Sequence, residues 1–345
     1  MASTDPSRAK MQTVAYDTLS RCFQEHEDDV LEIEILPPVF EPLNGILMQD
    51  GLNLGIPKKI LAIAYVEARQ RFFKETRNNN NNMTSTVVQA TKVMLLFDPE
   101  HLTAANFRKR WLLTLKAKYE LCQPAIYRKA LQQEFCFLNS ILTSPLHRQS
   151  KSPTLWHHRA WLLDLFIPVA SEKASEDEQA TFWRQELAAV CKSGEQHPKN
   201  YYAWQYARRF ISKVESSDTV DKCALLVEAW CCQHPSDISG WSFLLFLIPK
   251  LQSVSRRQHL VRDVLKYAIT LRSEQESLWV FIRTILAQAP LYGAHTGFEE
   301  TLQTYKKDLE NMGPNVPALE QIVKALKWID TNRESIAVSE TSALK

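Results

Sequence analysis

The sequence predicts an all-α protein arranged as a superhelix (solenoid) of helical hairpin repeats. Only 8 of its 345 residues are glycine, and none lies between Gly55 and Gly194. Average glycine usage is roughly 7%, and tight hairpins and strand-to-helix turns depend on residues that readily adopt positive φ. Five similar segments also recur along the chain, as in repeat architectures. A helical repeat array satisfies both observations.

The same scarcity of glycine excludes several classes of enzyme. No two glycines have the spacing of a dinucleotide-binding loop or of a P-loop, and no G-x-S-x-G nucleophile elbow occurs. We therefore expect neither a Rossmann oxidoreductase, nor a P-loop ATPase, nor a serine hydrolase of the usual design.

The first 57 residues differ from the rest and predict an irregular N-terminal arm. Residues 31–38 alternate apolar and acidic side chains and end at two prolines, which predicts a short extended segment. From residue 58 the apolar residues recur at helical spacing, so residues 58–332 are predicted to form the repeat array. Five asparagines at residues 78–82 are typical of a mobile loop, and the polar residues 333–345 of a disordered tail.

The repeat motifs lie near residues 105, 156, 204, 241 and 279, in steps of 51, 48, 37 and 38. Each follows a residue suited to opening a helix, namely Asp98, Ser152, Asn200, Asp237 and Ser273. A strongly apolar helix comes next, and a second helix, such as residues 176–191 or 219–233, closes the unit. We expect each hairpin to bury its apolar face against the next.

A tryptophan marks the same point in four motifs: Trp156, Trp204, Trp241 and Trp279. We interpret these residues as packing anchors, each with an indole N–H that needs one acceptor. An arginine stands at the third or fourth residue after the marked position in four of the five motifs: Arg108, Arg159, Arg208 and Arg283. These arginines are expected to bond helix-end carbonyls or a neighbouring acid.

These motifs are similar to the repeat of a known family. Residues 198–204 read PKNYYAW and residues 151–159 read KSPTLWHHR. Both resemble the Asn-Tyr-x-x-Trp-x-x-Arg signature, with a lysine just before it, of the α subunits of protein prenyltransferases. The resemblance covers about residues 85–290. It departs from the family pattern where an aromatic residue or an arginine is replaced, at Ala105, Pro153, Ala207 and Leu244.

The resemblance implies the α subunit of a heterodimeric protein prenyltransferase. Such an enzyme transfers a geranylgeranyl group, or as second choice a farnesyl group, from its diphosphate to a cysteine of an acceptor protein. In this family the zinc and most of the lipid pocket belong to a β subunit. The resemblance therefore implies a β partner, of the Rab geranylgeranyltransferase kind first, and no cofactor or metal in this chain. Because neighbours on a helix point about 100° apart, His157 and His158 are expected to be one exposed and one packed imidazole, not a metal site.

The resemblance also implies particular site residues. The family's α subunit places a lysine near the isoprenoid diphosphate, and by position this is Lys151. A positioned ammonium stabilises the negative charge that develops on the leaving diphosphate. The residues at the family's substrate-facing or partner-facing positions are Lys199, Asn200, Tyr201 and Tyr202. Simpler interpretations stay open, in which Lys151 is a solvated lysine in a basic loop and the tyrosines pack between repeats.

Two other functions also stay open. A non-enzymatic helical-repeat scaffold would use the same surface to bind a protein. An RNA-reading repeat would need a basic stripe, which a net charge of +2 disfavours, so no nucleic-acid partner is expected. The chain shows no signal-peptide pattern and no apolar run long enough for a membrane span, which predicts a soluble cytoplasmic protein whose seven cysteines are reduced.

Overall fold

The structure is a computed structural model that describes residues 6–40, 42, 45–77, 84–171, 175–288, 295–313 and 316–343. The asparagine tract at residues 78–82 lies outside these ranges. The described part of the chain contains fifteen α-helices and one small sheet. In chain order the elements are α1 Pro6–Glu25, β1 Glu32–Leu36, β2 Met48–Asp50, β3 Asn53–Pro57, α2 Lys58–Arg77, α3 Ser85–Phe97, α4 Leu102–Tyr119, α5 Pro124–Leu142, α6 His147–Ser150, α7 Pro153–Ser171, α8 Glu176–Gln196, α9 Tyr201–Ile211, α10 Ser217–Gln233, α11 Ile238–Leu247, α12 Val254–Thr270, α13 Glu276–Ala287, α14 His295–Met312 and α15 Pro317–Ala343.

The N-terminal region is more regular than the irregular arm that the sequence predicts. The strand β1 falls on the predicted extended segment, but a 20-residue helix, α1, precedes it. Leu19 and Phe23 are buried one helical turn apart, together with Ala15 one turn earlier. This i, i+4, i+8 spacing is the stripe by which an amphipathic helix packs, and the prediction overlooked it.

A three-stranded sheet follows α1. Its strand order is β1-β3-β2, with β1 parallel to β3 and β2 antiparallel to β3. The turn between β2 and β3 passes through Gly51, whose φ of 57° suits glycine better than other residues. Ile33 and Leu54 pair across the sheet and both are buried, so the sheet covers part of the core.

The remaining helices alternate as the repeat pattern predicts, and the all-α helical-hairpin class is confirmed. The chain divides into two compact units, Met1–Tyr206 and Ala207–Lys345, with the boundary inside α9. In the first unit α4 packs on α5, and α5 packs on α7; in the second, α10 packs on α11 and α12. The helix α15 continues to Ala343, whereas the sequence predicts a disordered tail from residue 333. That segment contains neither glycine nor proline to end a helix.

Three of the five predicted helix-opening residues cap a helix. Ser152 Oγ accepts a hydrogen bond from Leu155 N at 3.1 Å, Asn200 Oδ1 from Ala203 N at 3.4 Å, and Asp237 Oδ1 from the amides of Ser239 and Gly240 at 2.9 Å. Each satisfies one or two of the amides that a helix leaves free at its first turn.

The other two helices begin later than predicted. The N-cap of α4 is His101, not Asp98, and that of α13 is Gln275, not Ser273. Ser273 Oγ still accepts a hydrogen bond from Gln275 N at 3.3 Å, so its hydroxyl closes the turn before the helix. Both predictions are wrong by two or three residues, because element boundaries are the part of a helix that sequence patterns specify least well.

Candidate functional site

The marked tryptophans lie in the interior, and three of them bond in the same way. The indole N–H donates to the carbonyl oxygen six residues earlier in Trp156 (to Ser150, 2.7 Å), Trp241 (to Pro235, 3.0 Å) and Trp279 (to Ser273, 2.7 Å). Trp204 is equally buried. The indoles of Trp156, Trp241 and Trp279 thus tie their helices to the turns that precede them, which holds these turns in a repeated geometry.

Arg108, the repeat arginine of α4, is buried in an ion pair. Its guanidinium donates two hydrogen bonds to the carboxylate of Glu134 in α5, and two more to Thr91 Oγ1 (2.9 Å) and the Val88 carbonyl (3.0 Å). Burial alone would raise the pKa of Glu134, but the neighbouring Arg108 outweighs it and lowers that pKa.

His158 lies in the same buried region. Its Nε2 is 3.3 Å from Glu134 Oε1, and burial lowers the pKa of His158 to about 4. The imidazole is therefore neutral at pH 7. His157 is exposed, so the pair behaves as predicted, with one packed ring and one exposed ring.

Arg159, the repeat arginine of α7, has the equivalent arrangement. It is fully buried and donates to Glu186 Oε1 of α8 at 2.7 Å and to Asn139. The other oxygen of Glu186 accepts a hydrogen bond from the Tyr206 hydroxyl. Burial, followed by the Glu186 carboxylate, raises the pKa of Tyr206 well above its usual value, so the phenol stays protonated.

The eleventh residue of the second helix in each hairpin accounts for which repeats have a buried arginine in the first helix. Glu134 and Glu186 are each the eleventh residue of their helix. The eleventh residues of α10 and α12 are Val227 and Val264, both buried. In those same repeats the arginine position holds Ala207 and Leu244, which are also buried. The position therefore carries a charge only where a glutamate is available to pair with it, since an unpaired buried charge is strongly destabilising.

In the third and fifth repeats the arginine is the fourth residue after the tryptophan, not the third, and it lies outside the buried position. Arg208 donates to Ser242 Oγ at 2.8 Å and lies over the Phe246 ring at 4.8 Å from its centroid. Arg283 lies over Trp328 at 5.8 Å. These stacked guanidinium groups cover aromatic surface near solvent instead of forming a buried ion pair.

Asn200, which the resemblance places at a substrate-facing or partner-facing position, has a structural role in the fold. It is fully buried, and besides capping α9 its Nδ2 donates to the Ser150 carbonyl at 3.0 Å and to Ser193 Oγ at 2.9 Å. Asparagine at this point serves to join three segments of the chain, because its amide can donate and accept at the same time.

Lys151 lies beside the turn that opens α9. It follows the short helix α6, and its Nζ is 3.3 Å from the Pro198 carbonyl oxygen. Among the described residues no carboxylate lies within ion-pairing distance of this ammonium. The ring of His147, one helical turn before Lys151, meets the ring of His197 at a centroid distance of 5.3 Å and an interplanar angle of 89°.

The turn next to Lys151 carries the other predicted residues. Lys199 has a φ of 62°, a left-handed conformation that is rare for a residue with a side chain. Tyr201 and Tyr202 are 60% and 40% exposed, so both phenol rings reach the surface. Their rings contact each other edge to face at 5.6 Å. The structure thus brings Lys151, Lys199 and Tyr201 to adjoining turns.

Sequence reasoning missed the two histidines and the two glutamates of these sites. His147 and His197 are 50 residues apart and belong to no motif. Glu134 and Glu186 stand in second helices without a local signature, although their equal distance from the helix start is a signal that an alignment of the second helices would have found.

No helix in the described ranges is long and apolar enough to cross a membrane. Nor do three or more His, Cys, Asp or Glu side chains converge in that part of the chain as metal ligands would.

Together, the hairpin array, the tryptophan anchors and the lysine-bearing turns define a helical-repeat protein. The comparisons with known proteins show what this chain is similar to. The family model described as ECM9 middle domain matches residues 155–274. The chain is 24% identical to the geranylgeranyl transferase type-2 subunit alpha of Candida albicans, over 60% of this chain and 55% of that protein. It is 26% identical to the protein prenyltransferase alpha subunit repeat-containing protein 1 of Homo sapiens, over 48% of this chain and 40% of that one.

A solved structure titled Candida albicans protein geranylgeranyltransferase-I complexed with GGPP aligns over 81% of this chain and 84% of that one, with a TM-score of 0.45 and 15% identity. The chain spans about half the length of the curated relatives it matches. The resemblance to prenyltransferase α subunits and to their repeat-containing relatives is confirmed.

Proposed function

We propose that this chain acts as the α subunit of a protein prenyltransferase. It would help transfer a geranylgeranyl group, or a farnesyl group, from an isoprenoid diphosphate to a cysteine of an acceptor protein. The zinc that activates the acceptor thiolate, and most of the lipid pocket, would belong to a β subunit of the Rab geranylgeranyltransferase kind. The observation that carries the proposal is the position of Lys151 against the turn that opens α9.

The surroundings of Lys151 support a role toward an anion. Its ammonium contacts a backbone carbonyl, the Pro198 oxygen, and among the described residues it has no carboxylate partner. A lysine that only stabilised the fold would gain more from an ion pair than from one carbonyl contact. The charge of Lys151 is therefore available to a ligand at this turn.

The chemistry explains why a lysine is useful there. In the transfer, the bond between the allylic carbon and the diphosphate oxygen breaks and its electron pair leaves with the diphosphate. The acceptor thiolate supplies the pair that forms the new carbon–sulfur bond. Negative charge moves onto the departing oxygen, and a fixed ammonium stabilises this charge more in the transition state than in the ground state. Tyr201 would add a phenol donor and an aromatic wall beside it.

The experiment is co-expression of the full chain with candidate prenyltransferase β subunits. A stable complex with one of them and transfer of labelled geranylgeranyl to an acceptor protein are expected. Lys151→Ala should keep the complex and lower kcat by about a hundredfold, the usual effect of removing one charge-stabilising donor. The matched control is Lys222→Ala, an exposed lysine of α10 that pairs with Asp218 on the same helix.

The outcomes separate the two parts of the proposal. If no β subunit forms a complex with the chain, the prenyltransferase function is wrong and the scaffold function gains support. If a complex forms and Lys151→Ala transfers as fast as Lys222→Ala, the subunit function stands and the role of Lys151 is wrong.

A further inference from the structure

The outer side of α2 carries a basic and aromatic surface that the prenyltransferase chemistry does not use. The helix packs on α1 and α3 through its buried stripe, and on the opposite side a groove of about 620 Å³ lies along residues 65–77. We call this surface the α2 face. Its apolar and charged lining residues are Tyr65, Val66, Arg69, Phe73, Lys74 and Arg77. The helix precedes residues 85–290, to which the prenyltransferase resemblance extends, so the α2 face lies outside that resemblance.

The charges of the α2 face are all positive. Arg69, Lys74 and Arg77 are exposed, and among the described residues none of them has a carboxylate within ion-pairing distance. The two glutamates of the helix are engaged elsewhere. Glu67 pairs with an arginine of the same helix at 2.7 Å, and Glu75 accepts a hydrogen bond at 2.8 Å from the hydroxyl of the α3 N-cap. The three cations are therefore available to an anionic partner.

Apolar side chains lie between these cations. Val66 is 37% exposed, and Phe73 follows seven residues later, which places the two side chains two helical turns apart on one line of the helix surface. Arg69 lies over the Phe73 ring, 5.4 Å from its centroid, and the Tyr65 ring stacks on Phe97 of α3 at 4.4 Å. Side chains held in this way lose little freedom when a partner binds. A spacing of seven residues is the one at which a second helix contacts the same line repeatedly.

We propose that the α2 face is a docking surface for an acidic amphipathic helix of a partner protein. Apolar side chains of that helix would pack on Val66 and Phe73. Carboxylates on either side of its apolar stripe would pair with Arg69 on one flank and with Lys74 and Arg77 on the other. The guanidinium of Arg69 can offer two parallel N–H donors to a carboxylate while its plane stays on the ring. This docking does not depend on the proposed function.

Size and charge favour a protein helix over other anionic partners. Residues 65–77 span about 18 Å at 1.5 Å per residue, which matches about three turns of a second helix. A helix that binds a membrane surface inserts an apolar face as well as presenting cations, whereas the apolar stripe of α2 is packed inside the fold. A nucleic-acid surface typically makes about 6–10 phosphate contacts, more than three cations can supply.

The test uses the full chain and two labelled helical peptides of about 20 residues, long enough to form a helix. The first has leucine at alternating third and fourth positions and glutamate on both sides of that stripe. The second has glutamine in place of every glutamate. Fluorescence anisotropy measures the dissociation constants at about 0.1 M and about 1 M salt, between which the screening length falls from about 10 Å to about 3 Å. The α2 variant is R69Q/K74Q/R77Q, which removes the three cations.

The control variant is K266Q/K307Q/K327Q, which removes the same charge from exposed lysines of α12, α14 and α15. Wild type and the control variant should bind the glutamate peptide equally, more weakly at high salt, and at least about tenfold more tightly than the glutamine peptide. The α2 variant should lose about tenfold in affinity for the glutamate peptide, the sum of three exposed ion pairs, together with most of the salt dependence.

Val66→Gln tests the apolar part separately. It should weaken binding of both peptides and keep the salt dependence, since it changes no charge. Every side chain replaced in these variants is exposed, so the variants are expected to fold, and circular dichroism checks this. If the glutamate peptide does not bind, or binds the α2 variant as tightly as the control variant, the proposal is wrong.

Two further probes cover the other anionic partners. Vesicles of phosphatidylserine and phosphatidylcholine test a lipid surface, and an oligouridine tests single-stranded nucleic acid. Binding of either probe that the α2 variant loses, without binding of the glutamate peptide, would overturn the proposal. The prenyltransferase function can fail independently, because the peptide assay needs no β subunit and Lys151 is unchanged in all these variants.

Discussion

The buried pair of Arg159 and Glu186 permits a sharp test of why the repeats differ. Replacing Arg159 by leucine leaves the Glu186 carboxylate buried without its partner, since both side chains are almost fully enclosed. Breaking a buried ion pair on one side typically costs 3–5 kcal/mol of unfolding free energy, and we expect about 4 kcal/mol for Arg159→Leu.

The fourth repeat shows how the cost can be removed, because it has Leu244 and Val264 at the corresponding positions. The double variant R159L/E186V transplants that pair. It leaves the Tyr206 hydroxyl without the acceptor it has in Glu186, which costs about 1–3 kcal/mol for a buried polar group. Adding Tyr206→Phe removes this hydroxyl, so the triple variant is expected within about 1–2 kcal/mol of wild type.

Urea unfolding followed by circular dichroism measures these differences as shifts of the midpoint at constant slope. A double-variant cycle should give a coupling of about 5–7 kcal/mol between residues 159 and 186, because each single variant costs about 4 kcal/mol and the double variant only about 1–3 kcal/mol. Arg208→Leu is the matched control, because this arginine bonds to Ser242 near the surface, and it should cost about 1 kcal/mol. If R159L/E186V is as unstable as the sum of its single variants, the pairing rule is wrong.

Three further predictions concern single residues. Lys199→Gly should raise the unfolding free energy by about 0.5–1 kcal/mol, and with it the melting temperature, because glycine adopts a φ of 62° without the strain of a side chain. A lower melting temperature would contradict this explanation. Because burial lowers the pKa of His158 to about 4, the unfolded chain binds a proton below about pH 6.5 that the folded chain does not. Unfolding free energy should therefore fall by about 3 kcal/mol between about pH 6.5 and pH 4, and His158→Gln should remove that part of the pH dependence measured by urea unfolding. Burial, and then Asp263, raise the pKa of Glu228 to about 7, so its ionisation costs stability progressively as pH rises from about 4.3 to about 7. Glu228→Gln should therefore raise the melting temperature at about pH 8 and leave it nearly unchanged at about pH 4, and an equal effect at both values would refute the assignment.

Local pattern was sufficient for much of the fold. The first helices of the repeats, the tryptophan anchors and the strand β1 depend on the spacing of apolar residues and on helix-opening residues such as Ser152 and Asp237, all of which lie within a few positions in the chain. The helix α1 is local as well, since its buried stripe of Ala15, Leu19 and Phe23 is visible in the sequence. It was missed because the polar residues between them obscure the period.

The candidate site, too, was predicted from the sequence only in part. The repeat motif pointed to Lys151 and Tyr201 as neighbours in function, and the structure brings their turns together. The resemblance also placed Asn200 at a substrate-facing or partner-facing position, and in the structure its amide is buried against Ser150 and Ser193. A motif specifies which residue occupies a position. Hydrogen bonds to distant segments decide whether its side chain is buried or exposed.

The sequence by itself determined that this chain is a helical-repeat protein with a lysine and tyrosines at two of its turns. Only the tertiary structure decided which buried charges are paired, because Glu134 and Glu186 come from other helices than the arginines they bind. It also decided that His147 and His197 meet beside Lys151. Residues 50 positions apart in the chain share a surface only when the hairpins between them have packed, and packing is a property of the whole fold.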